Sequence, residues 1–567
     1  MRAPRFSLVP VACAVMLAGA LLYGLGAYPL LEPDEGRNAE VAREMATTND
    51  YVLPRLNGLP YVDKPILYFA VGAAVIELLG PTETAARIPS LLFTLATAAL
   101  IAWFAGVLYG VTGAWAAPIA YAASPFTIAY ARTVIFDSAL TLWITSALAA
   151  FYMAATVPGD PKSGTTVRPA LPAWAWSTIA WAAMGLGVLT KGPVALAVPL
   201  LVVIPWAIWQ GALRRVVDPV GLLAFVAVLL PWVLAMSRRV PDFLSYVLLV
   251  ETAERLTTPN LGRTGPMWYF VPILFGAALP WTAFLLAGAE KPGARPHDRR
   301  TVFLLLWLAI PLLFFTLSQS KRPQYVLPLV PAMALLVATR WQDGTARRRG
   351  GRAAGIVLTA LGVALVVTRT GLADLVPSSV EVAGTIPATA LGLGVLCVAS
   401  GVAAFTTARR STLLLPALVL PVAAIPFMAM PLMRAIGADR SSAALAQTLN
   451  AAVTEQAEVV AIGVYPLSLA FYLGRPLVLA TADGRELTSN HVPRQLERLR
   501  RVPGSPLRPA AWWEEALALC DRPRVFVVRQ DDARARARLA SSLPLIGQTR
   551  TVAAYGPCGL ATLARGG

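Results

Sequence analysis

The sequence predicts an all-α polytopic membrane protein followed by a small α/β domain. Hydrophobic residues make up 57% of the 567 positions, charged residues only 14%, and the mean hydropathy is +0.62. This composition excludes an ordinary soluble enzyme. Apolar runs of about the 20 residues that a helix needs to cross a bilayer recur from Val9 to Met433. We therefore predict a transmembrane domain at residues 1–433 and a soluble domain at residues 434–567.

Helix length and polarity of the connectors predict about thirteen transmembrane helices. The first follows a basic N-terminus but is too long for a signal peptide and lacks a convincing cleavage site, so we interpret it as uncleaved. The predicted spans lie near residues 7–30, 88–109, 113–131, 135–155, 173–190, 193–209, 219–236, 267–288, 301–318, 324–340, 353–370, 387–406 and 411–433. The run Ile66–Gly80 is short for a span, and we interpret it as a helix lying in the membrane interface.

The net charge of +17 does not predict nucleic-acid binding, because the basic residues gather in short connectors between apolar runs. The positive-inside rule makes those connectors cytoplasmic. They contain Arg214, Arg215, Lys291, Arg295, Arg299, Arg300, Arg340, Arg347, Arg348, Arg349, Arg352, Arg409 and Arg410. The tail and the polar segments 31–65, 131–137, 190–192, 238–266 and 318–323 then share the outer face.

The sequence pattern changes in the tail, where short β-rich runs alternate with helical stretches. Val459–Val464 and Val525–Val528 are typical of strands, and Arg494–Arg500 of a helix. Cys520 and Cys558 both fall in this domain, where either a disulfide or two buried thiols would fit the sequence.

Charged residues cluster directly after the first apolar run, in Leu31–Arg37. Asp34 follows a proline, where a carboxylate could cap a helix, but we favour a functional role for it. Glu40, Arg43 and Glu44 follow at helical spacing, and we interpret them as a solvated face.

A second polar segment, Asn57–Pro65, is rich in turn residues and ends in an acid and a base before the interfacial run. Lys64 would sit at the depth of lipid phosphates. It could contact any lipid head group, or it could hold the phosphate of a carrier lipid.

Ionisable residues also lie inside or next to apolar sequence. Asp137 and Lys191 are costly in a bilayer, so we expect them to pair or to line a cavity; a structural pair of Asp137 with Arg132 or with Lys191 is the alternative. Further cations, Arg255, Lys321 and Arg322, lie in outer segments.

The combination of acids and cations suits a reaction with an anionic leaving group. Cations stabilise a departing phosphate, and a carboxylate can take a proton from an attacking hydroxyl or hold a metal. The chain has neither a Walker loop nor a dinucleotide fingerprint, and His297 and His491 have no evident role. We expect a donor that is already activated as a lipid-linked phosphate.

These motifs, in this order, resemble the aminoarabinose transferase branch of the polyprenyl-phosphate-sugar glycosyltransferases, which is related to the protein O-mannosyltransferases. The resemblance runs from the first helix to at least Pro331. It rests on Glu32–Arg37 with Asn38-Ala-Glu, Asn57-Gly with Tyr61–Pro65, Asp137, Leu189–Pro193, Glu251 with Arg255, and Ser320–Pro328. The resemblance implies the GT-C membrane fold, with about thirteen helices, interfacial helices and a periplasmic tail domain.

The resemblance also implies roles for individual residues. It makes Asp34 the leading catalytic acid and Asp137 the second. The residues expected to bind substrate are Glu35, Arg37, Tyr61, Asp63, Lys64, Lys191, Arg255, Lys321, Arg322 and Tyr325. The family often has Glu-Lys-Pro-Pro where this chain has Asp63–Ile66, and a polar residue in place of Val250. These departures leave a divalent metal open, and no cofactor is certain.

The expected function is sugar transfer from a polyprenyl (undecaprenyl) phosphate to an acceptor at the periplasmic face of the bacterial inner membrane. The resemblance suggests aminoarabinose as the sugar and lipid A as the acceptor. Relatives with the same loops glycosylate proteins or other glycans, which is the main alternative. A transporter or an inactive lipid-binding protein is more remote, because no internal repeat is visible and both acids are present.

Overall fold

A computed structural model describes residues 8–156, 171–247, 265–287, 298–374, 379–454 and 456–559. The chain forms two compact units, and neither is one continuous stretch. The helical unit comprises residues 1–25 and 87–432, and the sheet unit comprises residues 26–86 and 433–567. The predicted division into two consecutive domains did not anticipate that residues 26–86 group with the tail.

The helical unit is built from helices joined by short connectors. They are α1 (Val9–Leu22), α4 (Glu83–Ala122, which starts in the sheet unit), α5 (Pro125–Ala131), α6 (Asp137–Ala155), α7 (Ala173–Lys191), α8 (Val194–Trp209), α9 (Leu213–Val216), α10 (Pro219–Arg239), α11 (Phe243–Ser245), α12 (Phe270–Ala277), α13 (Trp281–Ala287), α14 (Arg299–Leu317), a 3-10 helix (Pro323–Leu329), α15 (Val330–Gln342), α16 (Gly344–Thr368), α17 (Val380–Thr407), α18 (Ser411–Ala423) and α19 (Ile425–Met428).

The described residues contain seven helical segments that are long and apolar enough to cross a membrane. Two predicted spans, 88–109 and 113–131, fall largely on α4, which breaks at Gly110, where φ is 69°. The described part of the predicted span 267–288 forms two short helices, α12 and α13, rather than one. The fold class is confirmed, whereas the count of thirteen stays a prediction.

Two arginines in the helical unit satisfy the last carbonyls of α1 and its C-terminal turn. Arg132 donates to the carbonyls of Ala20 and Leu21, and Arg87 donates to that of Leu25. The last carbonyls of a helix have no partner within the helix, and leaving them unpaired in an apolar environment is costly. Burial of these arginines is therefore explained by helix capping.

The sheet unit contains α2 (Asp34–Thr48), β1 (Arg55–Leu56), β2 (Leu59–Pro60) and α3 (Leu67–Leu79) from the N-terminal part. The tail adds α20 (Met430–Asp439), α21 (Ala443–Ala452), β3 (Glu458–Ile462), α22 (Leu469–Leu473), β4 (Val478–Thr481), a 3-10 turn (Arg485–Leu487), α23 (His491–Arg494), α24 (Leu496–Arg500), β5 (Leu507–Pro509), α25 (Trp512–Leu519), β6 (Arg524–Arg529), α26 (Ala533–Ala540), β7 (Leu545–Gln548) and β8 (Val552–Cys558).

The tail forms a six-stranded sheet in the order β5-β4-β3-β6-β8-β7. The first four strands are parallel, and β8 pairs antiparallel with β6 and β7. Buried side chains such as Val460, Phe526 and Val528 form its core against α25 and α26. The α/β prediction is confirmed, and Cys520 and Cys558 form a disulfide.

Candidate active site

In the first turn of α2, the side chain of Asp34 is partly exposed and that of its neighbour Glu35 is buried. Asp34 forms an ion pair with Arg37 one turn later, and 31% of its side chain is exposed. Arg37 also lies within electrostatic reach of Tyr61 and Asp63. Glu35 is 2% exposed and accepts a hydrogen bond from the Leu31 amide. Of these two adjacent acids, Asp34 is therefore the one open to a substrate.

Glu32, at the start of the same motif, is bound to the tail domain. Its Oε1 accepts hydrogen bonds from the amide and the hydroxyl of Ser468 and from the hydroxyl of Ser442. Sequence reasoning missed this role, because the serines stand more than 400 residues away and nothing local identifies them as partners.

The prediction that Glu40, Arg43 and Glu44 form a solvated face is wrong. They are 0%, 5% and 6% exposed. Arg43 grips both oxygens of Glu40 at 2.7 Å and donates to the carbonyl of Gly474, while Glu44 accepts from the amide of Gly58. Burial is possible because these charges pair with one another.

This cluster holds more carboxylates than cations, which affects protonation. Burial, reinforced by the neighbouring Glu40 charge, raises the pKa of Glu44 to about 8. Burial also raises the pKa of Glu40, although the guanidinium of Arg43, which occupies both of its oxygens, opposes that rise. With a pKa of about 8, Glu44 keeps its proton at neutral pH.

The Asn57–Gly58 turn connects β1 to β2 with positive φ at both residues, a conformation that asparagine and glycine tolerate best. The buried Asn57 side chain exchanges two hydrogen bonds with the backbone of Leu477. The turn, and the segment that follows it, is thereby fixed to the tail domain.

The segment after this turn carries three of the predicted binding residues. Tyr61 is buried and packs edge-on against Phe69. Asp63 is buried and accepts from the amide of Asn490 through both oxygens. Lys64 is half-buried and donates to the carbonyl of Asp63. Asp63 thus has a structural partner in the tail domain.

In the helical unit, Asp137 begins α6 and pairs with Lys191, the last residue of α7. The alternative pair with Arg132 is wrong, because that guanidinium is engaged by the carbonyls of α1. Asp137 is 2% exposed and Lys191 14%, so the pair is mostly withdrawn from solvent.

An aromatic row continues from this pair. The Lys191 ammonium lies 5.1 Å from the centroid of the Tyr325 ring, and Tyr325 stacks on Phe270. The Lys321 ammonium lies 5.8 Å from the Phe270 centroid and donates to the carbonyls of Thr316 and Ser318. The structure therefore brings Asp137, Lys191, Tyr325 and Lys321 together within one unit.

The two cations of the Lys321–Arg322 pair differ in burial. Lys321 is 9% exposed, and burial lowers the pKa of its ammonium. Arg322 is half-buried and close enough to Tyr269 to interact electrostatically with it. Arg255, with Glu251 and Val250, lies outside the described residues, as does His297. His491 is buried in the tail domain.

Across the ranges that the structure describes, no three His, Cys, Asp or Glu side chains are grouped so that they could hold a metal ion. The hydrogen bonds of Asp63 and the pairing of Asp137 occupy these carboxylates with other partners. We therefore derive no step through a metal.

Comparison with known proteins places this fold and these residues in context. A family model described as dolichyl-phosphate-mannose-protein mannosyltransferase matches residues 43–247. The crystal structure of ArnT from Cupriavidus metallidurans bound to undecaprenyl phosphate superimposes with a TM-score of 0.81 at 23% identity, covering 98% of both chains. The fold is thus that of a GT-C-type polytopic membrane protein, as the sequence predicted.

Curated relatives identify a family within this fold class. Undecaprenyl phosphate-alpha-4-amino-4-deoxy-L-arabinose arabinosyl transferases from Aeromonas hydrophila and Serratia proteamaculans are each 34% identical, over 56% and 59% of this chain. The chain spans 56% and 60% of their lengths. The corresponding protein of Yersinia pestis is 31% identical over 67% of this chain and 68% of its own length. The chain belongs to this arabinosyl transferase family.

Proposed function

We propose that this protein is a membrane glycosyltransferase that moves a sugar from a polyprenyl phosphate to an acceptor at the periplasmic face of the bacterial inner membrane. Family membership supports the donor class, and the relatives are named for undecaprenyl phosphate-aminoarabinose. We propose aminoarabinose as the sugar and lipid A as the acceptor.

One observation carries the assignment of the reacting acid. The neighbouring carboxylates Glu35 and Asp63 are buried and hydrogen-bonded to backbone amides, whereas Asp34 keeps 31% of its side chain exposed beside Arg37. A carboxylate that must meet a substrate needs both access and a partner that keeps it ionised. Asp34 satisfies both conditions.

In the proposed reaction, an acceptor oxygen attacks the anomeric carbon and the bond from that carbon to the phosphate oxygen breaks. The lipid phosphate leaves with the electron pair. With a hydroxyl acceptor, Asp34 takes the proton; with a phosphate acceptor, already deprotonated, Asp34 positions the nucleophile or stabilises charge. Asp137, paired with Lys191, is the second acid.

We propose the binding roles from the charge of each residue and from the family motif in which it stands. Lys64, Lys191, Lys321, Arg255 and Arg322 supply positive charge for the donor phosphate. The remaining residues proposed to contact or shape the substrate site are Tyr61, Asp63, Glu35, Arg37 and Tyr325. Lys321 in particular is nearly buried, so an anion near it would meet a poorly hydrated cation.

Sugar transfer from a panel of polyprenyl-phosphate sugars tests this proposal, using full-length protein in nanodiscs. We expect one donor to be consumed, Asp34→Asn to lower turnover by about 100-fold or more, and Lys64→Ala to raise the donor KM. Asp483→Asn, which removes a solvent-exposed carboxylate of the tail, is the control and should keep full activity. Unchanged turnover in Asp34→Asn would reject the assigned site.

The match to protein mannosyltransferases over residues 43–247 favours a second candidate, transfer to a protein or another glycan. The two candidates differ only in the acceptor. Including lipid A, a Ser/Thr-rich peptide and a soluble glycan in the same assay separates them, because only the true acceptor should gain label from the donor.

A further inference from the structure

A pocket of about 440 Å³ opens at the carboxyl ends of β3 and β6. The chain proceeds from β3 outward to β4 and β5, then returns to place β6 on the other side of β3. Ligands of open parallel sheets bind in the crevice created where the strand order reverses in this way. We call this cavity, bordered by Val464–Pro466 and Arg529–Asp531, the β3–β6 pocket.

The β3–β6 pocket has a buried floor. Tyr465, Pro466 and Val552 line it, and Tyr465 and Val552 are 4% and 1% exposed. The Tyr465 hydroxyl is buried and has no hydrogen-bond partner in the part of the chain that the structure describes. The volume of the β3–β6 pocket lies in the range of small-molecule sites, about 300–1,000 Å³.

The rim carries charged groups of both signs. Arg529 holds Asp531 through two hydrogen bonds of 2.9 and 2.7 Å, and Arg550 pairs with Asp439. A guanidinium has five N–H donors, so both arginines keep donors that these carboxylates do not use. Glu32 completes the lining, and its described hydrogen bonds all end on Oε1, which leaves Oε2 for another donor.

Charge balance defines the class of ligand. The lining contains two arginines and two carboxylates, and Arg550 is also paired with Asp439, so the pocket offers no net positive charge to an anion. A net anion would meet the carboxylates of Glu32 and Asp531, and an apolar molecule would leave Oε2 of Glu32 and the unused guanidinium donors of Arg529 and Arg550 without partners. A neutral molecule with many hydroxyl groups can both donate to the carboxylates and accept from the guanidiniums.

We propose that the β3–β6 pocket is a binding site for a neutral saccharide of one or two rings. Because Glu32 lines it and stands two residues before Asp34, the bound sugar would adjoin the motif that carries the proposed reacting acid. The inference does not depend on the transfer reaction, since binding is measured without donor or turnover.

Saturation-transfer NMR tests this site, with N,N′-diacetylchitobiose and maltose as probes and full-length protein in nanodiscs. Thr551→Trp places an indole in the pocket from a solvent-exposed position, and Asp531→Asn removes one rim carboxylate. Arg538→Gln, on the exposed face of α26, is a control outside the pocket. We expect the wild type and the control to bind at least one probe, and Thr551→Trp to bind about tenfold more weakly.

The outcomes are distinct. No saturation transfer to either disaccharide in the wild type, or equal transfer in Thr551→Trp, overturns the proposal. Should Thr551→Trp fail to fold, Asp531→Asn decides: weakened binding supports the site and unchanged binding overturns it.

Discussion

At the residue scale, α2 buries two carboxylates around one guanidinium. Glu40 and Glu44 lie one turn apart with Arg43 between them, and Glu44 also holds the Gly58 amide. Two negative charges and one positive charge in a dry site cost free energy unless one carboxyl keeps its proton. A carboxyl group that is protonated at neutral pH is therefore part of the support for the Asn57–Gly58 turn.

The raised pKa of Glu44, about 8 against an ordinary 4.5, predicts a pH-dependent stability. The folded state holds this proton more tightly than the unfolded state, so its contribution is complete below about pH 4.5 and is lost as pH rises through 8. Glu44→Gln should abolish much of this loss, because the amide mimics the protonated acid. Melting temperatures between pH 5.5 and 8.5 measure it.

The matched control for that experiment is Glu515→Gln, which removes an exposed carboxylate on α25. It should follow the wild type at every pH. If the melting temperature of Glu44→Gln falls with pH as steeply as that of the wild type, Glu44 titrates normally and the cluster tolerates both charges.

The Asp137–Lys191 pair allows structural and chemical roles to be separated. Asp137→Asn leaves the mostly buried Lys191 ammonium without its counter-charge, which we expect to cost about 3 kcal/mol. Combining it with Lys191→Met should recover stability, because no unpaired charge remains. Thermal unfolding of both variants measures this effect.

Activity of the same variants supplies the second readout. We expect the double variant to stay inactive although its stability recovers. Full activity in Asp137→Asn combined with Lys191→Met would reduce Asp137 to a structural role.

The role of Asp34 as the site acid stays a prediction, whereas the solvated face predicted for Glu40, Arg43 and Glu44 is wrong. Their spacing fits a solvated helix face and a buried ion cluster equally well. Part of their surroundings comes from the tail, which supplies the Gly474 carbonyl more than 400 residues later. Contacts between residues so distant in sequence leave no local periodicity from which they could be predicted.

At the element scale, α16 and α17 pack closely through glycines. A Cβ on Gly401 would lie 2.4 Å from Thr359 Oγ1 and 2.6 Å from the Gly355 carbonyl, and one on Gly362 would lie 2.5 Å from that of Gly394. Small residues at a helix interface allow membrane helices to approach closely in this way.

Gly401→Ala should therefore separate α16 from α17 and lower the melting temperature, because the Thr359 hydroxyl could rotate away but the backbone carbonyl of Gly355 and the backbone amide of Thr359 cannot move aside. Gly384→Ala is the matched control on the same helix, where a Cβ meets nothing within 4 Å. That change should be neutral or stabilise by up to about 1 kcal/mol. Equal melting temperatures for the two variants would contradict close packing at Gly401.

Elements with a simple periodicity were predictable from the sequence. Val459–Val464 and Val525–Val528 fall on β3 and β6, whose continuous apolar runs are typical of buried parallel strands. The 267–288 run was predicted as one helix but divides at Ala278–Pro280 into α12 and α13. Hydropathy measures apolar content and does not register such breaks.

At the scale of the whole molecule, the sheet unit is made from two distant parts of the chain. Asn57 and Asp63 are hydrogen-bonded to Leu477 and Asn490, and Glu32 to Ser468. A chain ending at Leu432 should therefore lose order in residues 26–86, although two consecutive domains would predict an intact remainder. Limited proteolysis at Arg37 and Arg43 measures this.

Co-expression of residues 433–567 with the truncated chain is the rescue control. It should restore protease resistance to residues 26–86, since the hydrogen-bond partners return. A truncated chain that resists protease as well as the full-length protein would show that these contacts contribute little.

The fold class was accessible from the sequence because hydropathy and arginine placement extend over the whole chain. The grouping of residues 26–86 with the tail was not, because a run of apolar helices separates them and nothing in composition links the two.

The discontinuous sheet unit constrains how chimeras of this family can be built. Transplanting residues 26–86 alone, to move Asp34 and Lys64 into a relative, would sever Glu32, Asn57 and Asp63 from their partners in the tail. Residues 433–567 must travel with them. The segment that carries Asp34 and Lys64 can therefore be exchanged only together with the later segment that folds with it.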